Sequence, residues 1–167
     1  MKKIFLLPIL LFAMTACTQA QTPTTFTTEA LNSTMKTVDG KEVAFKDILA
    51  KYKGKTVVID VWASWCPDCK KGMPKVHNLQ KQFPNVSYVF LSYDREDDRW
   101  LKGIETFGTK GDNYHVGTNM KQGEFAKSVQ LDWIPRYMVV DKTGKIALFK
   151  AIEADDTKLI ETLKNQK

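Results

Sequence analysis

The chain has 167 residues, room for one ordinary domain and some extra sequence, and a domain of that size buries a core without disulfide staples. Its three cysteines, Cys17, Cys66 and Cys69, do not make a disulfide framework, and one Cys-x-x-Cys pair supplies too few ligands for a structural zinc site. The net charge of +6 is spread without a dense basic block, which argues against nucleic acid as a partner.

Met1-Lys2-Lys3 is a short basic start. The apolar run from Ile4 to Met14 is too short to span a bilayer comfortably, and Pro8 interrupts it. This is the layout of a secretory signal peptide. Two of the six net charges, on Lys2 and Lys3, lie inside it, which leaves four on the remainder. The run ends Met14-Thr15-Ala16-Cys17, which resembles the lipobox of bacterial lipoproteins. That resemblance implies a leader over residues 1–16 and a lipidated Cys17 at the start of the mature chain. An incidental Cys17 behind an ordinary leader is the plainer alternative. Several acyl chains anchor stably where one does not. Thr18 stands where some bacteria place a membrane-retaining Asp, which by resemblance favours the outer membrane over the inner. The polar, low-complexity run Thr18 to Thr25 predicts a flexible tether over residues 17–28, ahead of a domain at 29–167.

Asp39-Gly40 between short alternating segments predicts a hairpin over residues 36–45, and a short helix is expected from Asp47 to Tyr52, closed by Gly54. Thr56 to Ala63 is rich in β-branched and apolar residues without polar alternation, which suits a central strand covered on both faces. Cys66 to Phe83 has helical spacing, with Met73, Val76, Leu79 and Phe83 on one face and Pro74 set to kink it. Val86 to Tyr93 predicts another buried strand, ending at Asp94. Residues 95–98 then open a helix carrying Trp100, Leu101, Ile104 and Phe107. Gly108 to Gly117 reads as irregular, and Gly123 to Val129 as a short helix. Arg136 to Val140 predicts a strand, Lys142 to Lys145 a turn, and Ile146 to Lys150 the returning strand. Asp155-Asp156 caps a last helix with Leu159, Ile160 and Leu163 inward. The order implies an α/β fold, a mixed central sheet flanked by helices on both faces.

Cys66 and Cys69, at the step from a buried strand to a helix, can close a small redox-active disulfide. They sit in the run Trp62-x-x-Trp65-Cys66-x-x-Cys69-Lys70, with Asp60 before it and Pro74 after it. Ile134-Pro135 and the hairpin Val139-Val140-Asp141-x-x-Gly144 lie downstream. On these features the chain resembles thioredoxin-fold proteins, most of all the membrane-tethered TlpA/ResA-like thiol-disulfide oxidoreductases, over roughly residues 35–164. Asp97 to Phe107 is similar to the helical insertion of the TlpA group. The resemblance implies a thioredoxin fold with an N-terminal β-hairpin and that insertion. It also implies a Cys66–Cys69 redox disulfide. The expected partners are oxidised client proteins, a membrane thiol-disulfide electron donor and the membrane through the lipid anchor. A monomer with neither cofactor nor metal is expected, in a periplasm-facing position in the bacterial cell envelope.

Cys66 would lie at a helix N-terminus, where free N–H groups and the macrodipole favour the attacking thiolate. It is expected to be the nucleophile and the more exposed of the pair, with Cys69, one turn on, resolving the mixed disulfide. Pro67 at the start of a helix loses no useful hydrogen bond. The Asp68 carboxylate should hold the Cys66 pKa above that of a neutral-linker relative, and so bias the couple towards reduction. In thioredoxin the acid matching Asp60 is buried behind the pair and exchanges the Cys69 proton, so the resemblance implies a raised pKa for Asp60 and a role as proton acceptor and donor. A solvated strand-end Asp is the plain alternative. Pro135 is expected to be cis and to face the dithiol, with the Ile134 backbone pairing to an extended substrate strand. Trp65 is expected to line the exposed surface beside Cys66, and Trp62 to pack. Trp100 and Trp133 read as core or rim, with contact between Trp133 and substrate left open. Arg136 replaces the Thr common after this proline; it either offsets Asp68, selects acidic partners, or is a plain surface arginine. Phe90 stands where thioredoxin carries a lysine, and His77 and His115 read as incidental.

The function expected is reduction of client protein disulfides in an extracytoplasmic compartment. A copper-handling thioredoxin-fold chaperone is one alternative, although no histidine sits in a partner motif. A thiol peroxidase is the other, although the Thr-x-x-Cys surround is missing.

Overall fold

A computed structural model describes residues 22–117 and 119–166. The leader, Cys17 and the rest of the expected tether up to residue 21 lie outside the described residues.

Six consecutive buried residues, Val57–Trp62, form β3 at the heart of the sheet. A strand covered on both faces has no polar side to show, which explains its run of apolar residues. It pairs in parallel with β4 (Ser87–Ser92) and antiparallel with β6 (Arg136–Val140). Outside β6 lies β7 (Ile146–Ala151). On the other side β4 pairs with β5 (Asp112–His115), which pairs with β1 (Thr34–Thr37) and so with β2 (Glu42–Ala44). The seven strands run in the order β2-β1-β5-β4-β3-β6-β7.

β5 falls in the segment read as irregular. Its residues, Asp-Asn-Tyr-His, carry no apolar alternation, yet Asn113, Tyr114 and His115 are buried. The close approach to β4 needs Gly111 at φ 153°, since a Cβ there would stand 2.4 Å from the Tyr88 carbonyl oxygen.

The helices divide between the faces by strand alternation. Asp60 and Trp62 point to the face covered by α3 (Pro67–Gln82), α4 (Asp97–Phe107) and α6 (Thr157–Asn165). On that face, Trp62 stacks edge-on to Phe107, and a Cβ at Gly103 would stand 3.1 Å from the Trp62 ring. Pro74 lies inside α3, where it withholds an N–H from the helical ladder. Covering the opposite face are α1 (Thr28–Leu31), α2 (Phe45–Ala50) and α5 (Glu124–Ser128). Phe26, Phe45 and Phe125 form an aromatic trio there, with Phe26 and Phe45 4.9 Å apart edge to face. The domain therefore reaches upstream of residue 29: Phe26 is buried, and the Thr24 carbonyl accepts from the Ile146 N–H at 2.8 Å.

Candidate active site

β3 delivers the chain to the site through Ala63, Ser64 and Trp65, and this loop is anchored from below. The fully buried Asp94 carboxylate accepts from the Ser64 N–H at 3.1 Å, the Ser64 hydroxyl at 2.6 Å and the Ser92 hydroxyl at 2.7 Å. The Asp94 carbonyl in turn faces His115 Nε2 at 2.8 Å, while His115 Nδ1 meets Asp97 at 2.7 Å and the ring stacks on Trp100. His115, read as incidental in the sequence, braces the residue that fixes this loop. His77, on α3, faces the Gly108 carbonyl at 3.2 Å.

Cys66 is the N-cap of α3, and its sulfur accepts from the Cys69 N–H at 3.1 Å. An N-cap whose acceptor is sulfur satisfies one of the orphan donors of the first turn and is itself stabilised as an anion. The Cys66 thiol is drawn down to about 7: the Cys69 side-chain hydrogen bond lowers it most, burial opposes, and the N–H groups of Cys69 and Asp68 add to the lowering. The Asp68 carboxylate pushes the other way, the direction expected of a like charge. Cys69 is driven far up, by burial first and then by its bond to Cys66 and the charges of Cys66 and Asp60. The two thiols thus divide by ionisation rather than by exposure. Cys66 is 4% exposed and Cys69 2%, so the expected difference in exposure is slight. The Cys66 thiol lies 3.5 Å from the Ile134 carbonyl oxygen, across the site.

The Ile134–Pro135 bond is cis, as expected of Pro135, and the contact across the site comes from the Ile134 carbonyl. Trp65 and Trp133 are 54% and 59% exposed, the two large aromatics left open to solvent among the described residues. Trp133, Pro135, Ile152, Asp68, Gly72 and Glu153 help line a shallow pocket of about 290 Å³. Trp65 lines another with Tyr93, Arg95 and Met120, and its indole N–H donates to the Tyr93 carbonyl at 3.1 Å.

Asp60 is buried, so the solvated strand-end alternative falls away. Neither of its carboxylate oxygens has a hydrogen-bond partner among the described residues. Burial raises its pKa to about 8, with the nearby Cys66 charge adding to the rise. In register it stands opposite Tyr137 on β6 and Phe90 on β4, so all three share the face under α3. The Tyr137 hydroxyl lies against Gly72 of α3, where an added Cβ would be 3.4 Å away. Burial and the charge of Asp60 hold Tyr137 well above the ordinary phenol range. Nothing in the sequence singled out Tyr137; only the β3–β6 register places it beside Asp60.

Arg136 is neither a surface residue nor a partner for Asp68. It is fully buried and pairs with Val61, on the face of the sheet away from α3. Its guanidinium donates to the carbonyls of Val129, at 2.9 Å, and Gln130, at 3.4 Å, and pairs with Asp132. It thereby ties the end of α5 to the segment carrying Trp133, Ile134 and Pro135.

A family model described as thioredoxin-like matches residues 54–146, more than half of the chain, and takes in Asp60, Cys66, Cys69, Asp94 and Ile134–Tyr137 but not Ile152 and Glu153 of the pocket. The chain belongs to the thioredoxin-like family. Among curated proteins, this thioredoxin-like chain is 28% identical to thiol-disulfide oxidoreductase ResA of Bacillus thuringiensis subsp. konkukian, over 78% of this chain and 70% of that one. It is 26% identical to thiol:disulfide interchange protein DsbE of Haemophilus influenzae, over 98% and 94% of the two chains. A solution structure described as a candidate thiol-disulfide oxidoreductase from Bacteroides vulgatus superposes with a TM-score of 0.64 at 29% identity, covering 79% of this chain and 84% of its own. The thioredoxin-like chain is an oxidoreductase of the thiol-disulfide type. Among its described residues no group of three or more His, Cys, Asp or Glu is placed to hold a metal ion.

Proposed function

We propose that the protein reduces disulfides of client proteins outside the cytoplasm, through exchange at Cys66 and Cys69. The observation that carries this is the Cys69 N–H on the Cys66 sulfur, with the buried, unpartnered Asp60 carboxyl influencing both thiols. The Cys66 thiolate attacks one sulfur of a client disulfide, and the other client sulfur leaves as a thiolate and takes a proton. Asp60, in its ionised form, accepts the Cys69 proton. The Cys69 thiolate then attacks the Cys66 sulfur, forming the Cys66–Cys69 disulfide and releasing the second client thiolate. Two electrons pass to the client, and a membrane thiol donor restores the dithiol. The client chain lies extended along the Ile134 backbone, between Trp65 and Trp133, with Pro135 as the wall of the site. Pro67 and Asp68 set the poise of the couple.

Asp68 is what favours reduction over oxidation in this reading. It opposes the Cys66 thiolate, and a less stabilised thiolate makes a weaker oxidant. The leader and the lipobox-like Met14–Cys17 run support a lipid-anchored, periplasm-facing protein, with Thr18 favouring the outer membrane. The ResA and DsbE relatives accord with disulfide interchange. Copper handling gains nothing from the structure, because His77 and His115 are held by Gly108, Asp97 and Asp94.

The deciding measurement is the reduction potential of the couple. A value at the reductant end of the range, about −270 to −220 mV, is expected; one near −120 mV, at the oxidase end, sinks the assignment of direction. Replacement of Cys69 by Ser should trap clients as mixed disulfides on Cys66.

A further inference from the structure

The pole of the domain opposite the dithiol carries a lysine cluster that the redox chemistry does not use. β3 and β4 begin at this pole, and β6, α3 and α6 end there. Lys55, Lys142 and Lys164 line a cavity of about 660 Å³ there, with Phe83, Val86 and Leu163 among its walls. Lys53 and Lys145 are exposed neighbours on the same two loops, which are joined by the Gly54 N–H donating to the Lys142 carbonyl. Among the described residues no carboxylate lines this cavity, and none of the five lysines is in an ion pair. Elsewhere Lys36, Lys41, Lys75, Lys127 and Lys150 each meet an Asp or Glu within 3 Å, and other lysines outside ion pairs, such as Lys46, Lys102 and Lys158, are scattered over the helices, so what sets this pole apart is the gathering of five on one cavity and its rim. Asp141, the acid next to Lys142, turns its carboxylate to the turn's own donors: the N–H groups of Thr143 and Lys145 and the Thr143 hydroxyl.

The chain enters the domain at this pole. The Thr24 carbonyl accepts from the N–H of Ile146, which directly follows Lys145 and pairs with Val140 at the far end of β6. The other end of β6 is Arg136, next to the cis proline of the active site. From Cys17 to Thr24 is a covalent reach of at most roughly 24 Å, and the tether sets out from this pole, so a lipid surface holding Cys17 lies within that distance of the Thr24 attachment.

We propose that the lysine pole is the face with which the protein rests on an anionic phospholipid surface, holding the dithiol on the side away from the membrane. This builds on the Cys17 anchor proposed above. Each lysine near such a surface strengthens binding about fivefold, and the attraction fades within a Debye length of about 8–10 Å. A short anchored chain supplies the required closeness, and the unpaired lysines supply the attraction.

The test uses the mature chain from residue 17 with Cys17→Ser, so that no acyl chain contributes. It is sedimented with vesicles of phosphatidylcholine alone, or of phosphatidylcholine mixed with phosphatidylglycerol, at low and high salt. Binding is expected to the mixed vesicles only, and to weaken with salt. The variant Lys55→Gln/Lys142→Gln/Lys164→Gln should lose about a hundredfold in affinity. The same charge change at Lys46, Lys102 and Lys158, which lie off this pole, should leave binding near the parent. Equal losses in both variants, or none in the first, overturn the proposal. So does complete displacement by millimolar inorganic phosphate, which would mark a small-anion site. With the lipidated protein in mixed vesicles, amine labelling of Lys55, Lys142 and Lys164 should slow while alkylation of Cys66 does not; slowed alkylation of Cys66 overturns the orientation. The mass of the mature chain reads acylation of Cys17 separately, so failure of the anchor and failure of the pole give different results.

Discussion

The Cys69 N–H meets the Cys66 sulfur at 3.1 Å, so the resolving residue stabilises the attacking one before any client arrives. The Cys69 side chain adds the largest lowering of the Cys66 pKa, which comes down to about 7. The rate of Cys66 alkylation should therefore rise with pH to a plateau with a midpoint near 7, while Cys69 stays unlabelled at neutral pH. Cys69→Ala keeps the N–H but removes the side-chain hydrogen bond, and should raise that midpoint by roughly one unit; Cys69→Ser should raise it less. Mass spectrometry of singly labelled protein across pH reads all three. An unmoved midpoint in Cys69→Ala would show that the backbone alone sets the thiolate.

Asp60 offers a second, independent titration. Its carboxyl has a folded-state pKa of about 8, against an ordinary unfolded value of about 3.9. Between these values the folded protein holds a proton that the unfolded chain has lost, so the contribution of Asp60 to stability is greatest below pH 4 and is lost as pH rises towards 8. The slope from this one group approaches about −1.4 kcal/mol per pH unit. Cys66 has the opposite sign, since its pKa is lowered on folding, but it acts only from about pH 7 upward. The window from pH 5 to pH 7 therefore isolates Asp60. Asp60→Asn should flatten the pH dependence of urea unfolding there and be the more stable protein at pH 7. Its release of client from the mixed disulfide should slow at the same time. Parallel slopes for parent and variant in that window would remove Asp60 from the buried-acid role.

The dithiol, its helix and the proline opposite were legible because each leaves a local mark. Cys66-x-x-Cys69 has a fixed spacing, β3 is an unbroken apolar run, and Ile134-Pro135 precedes a strand. What was hidden depends on pairing across the sheet. β5 is polar in sequence and becomes a strand only because β4 and β1 enclose it. Tyr137 stands beside Asp60 through antiparallel register, and Arg136 turns away from the site through the same alternation. A guanidinium reads as surface until the buried carbonyls that receive it are known. Phe26 lay in a stretch whose polar neighbours masked a core residue.

Asp68 adjoins the attacking cysteine and opposes its ionisation. Asp68→Asn removes that opposition and should lower the Cys66 midpoint by roughly half a unit, the scale of one charge acting through a solvent-rich dielectric. The better-stabilised thiolate should make the couple more oxidising. Equilibration with a glutathione buffer reads the potential, and ultraviolet absorbance of the thiolate reads the midpoint. Both should move together; a shift in neither would reduce Asp68 to a favourable residue at a helix N-terminus.

Arg136 tests whether the wall of the site is held from behind. Its guanidinium is fully buried, donates to the Val129 and Gln130 carbonyls and pairs with Asp132. Gln130 sits at φ 47°, a conformation a side chain adopts only where its surroundings fix it. Arg136→Met leaves the two carbonyls without this donor and should cost about 2 kcal/mol. Asp132 adds little to that loss, because its side chain is 59% exposed and it keeps Lys150 as a partner. The segment that loosens carries Trp133, Ile134 and Pro135, whereas α3 with Cys66 is built from the other face of the sheet. Reduction of a protein disulfide should therefore fall by roughly tenfold in kcat/KM, as a loss of about 1.4 kcal/mol in transition-state binding. Cys66 alkylation by a small reagent should keep its rate and its pH midpoint. Arg136→Lys, with a cation but no fork to span two carbonyls and a carboxylate, should recover only part of the loss. If alkylation fell as far as client reduction, Arg136 would serve the stability of the whole domain, and the placement of the Ile134 wall would not depend on it.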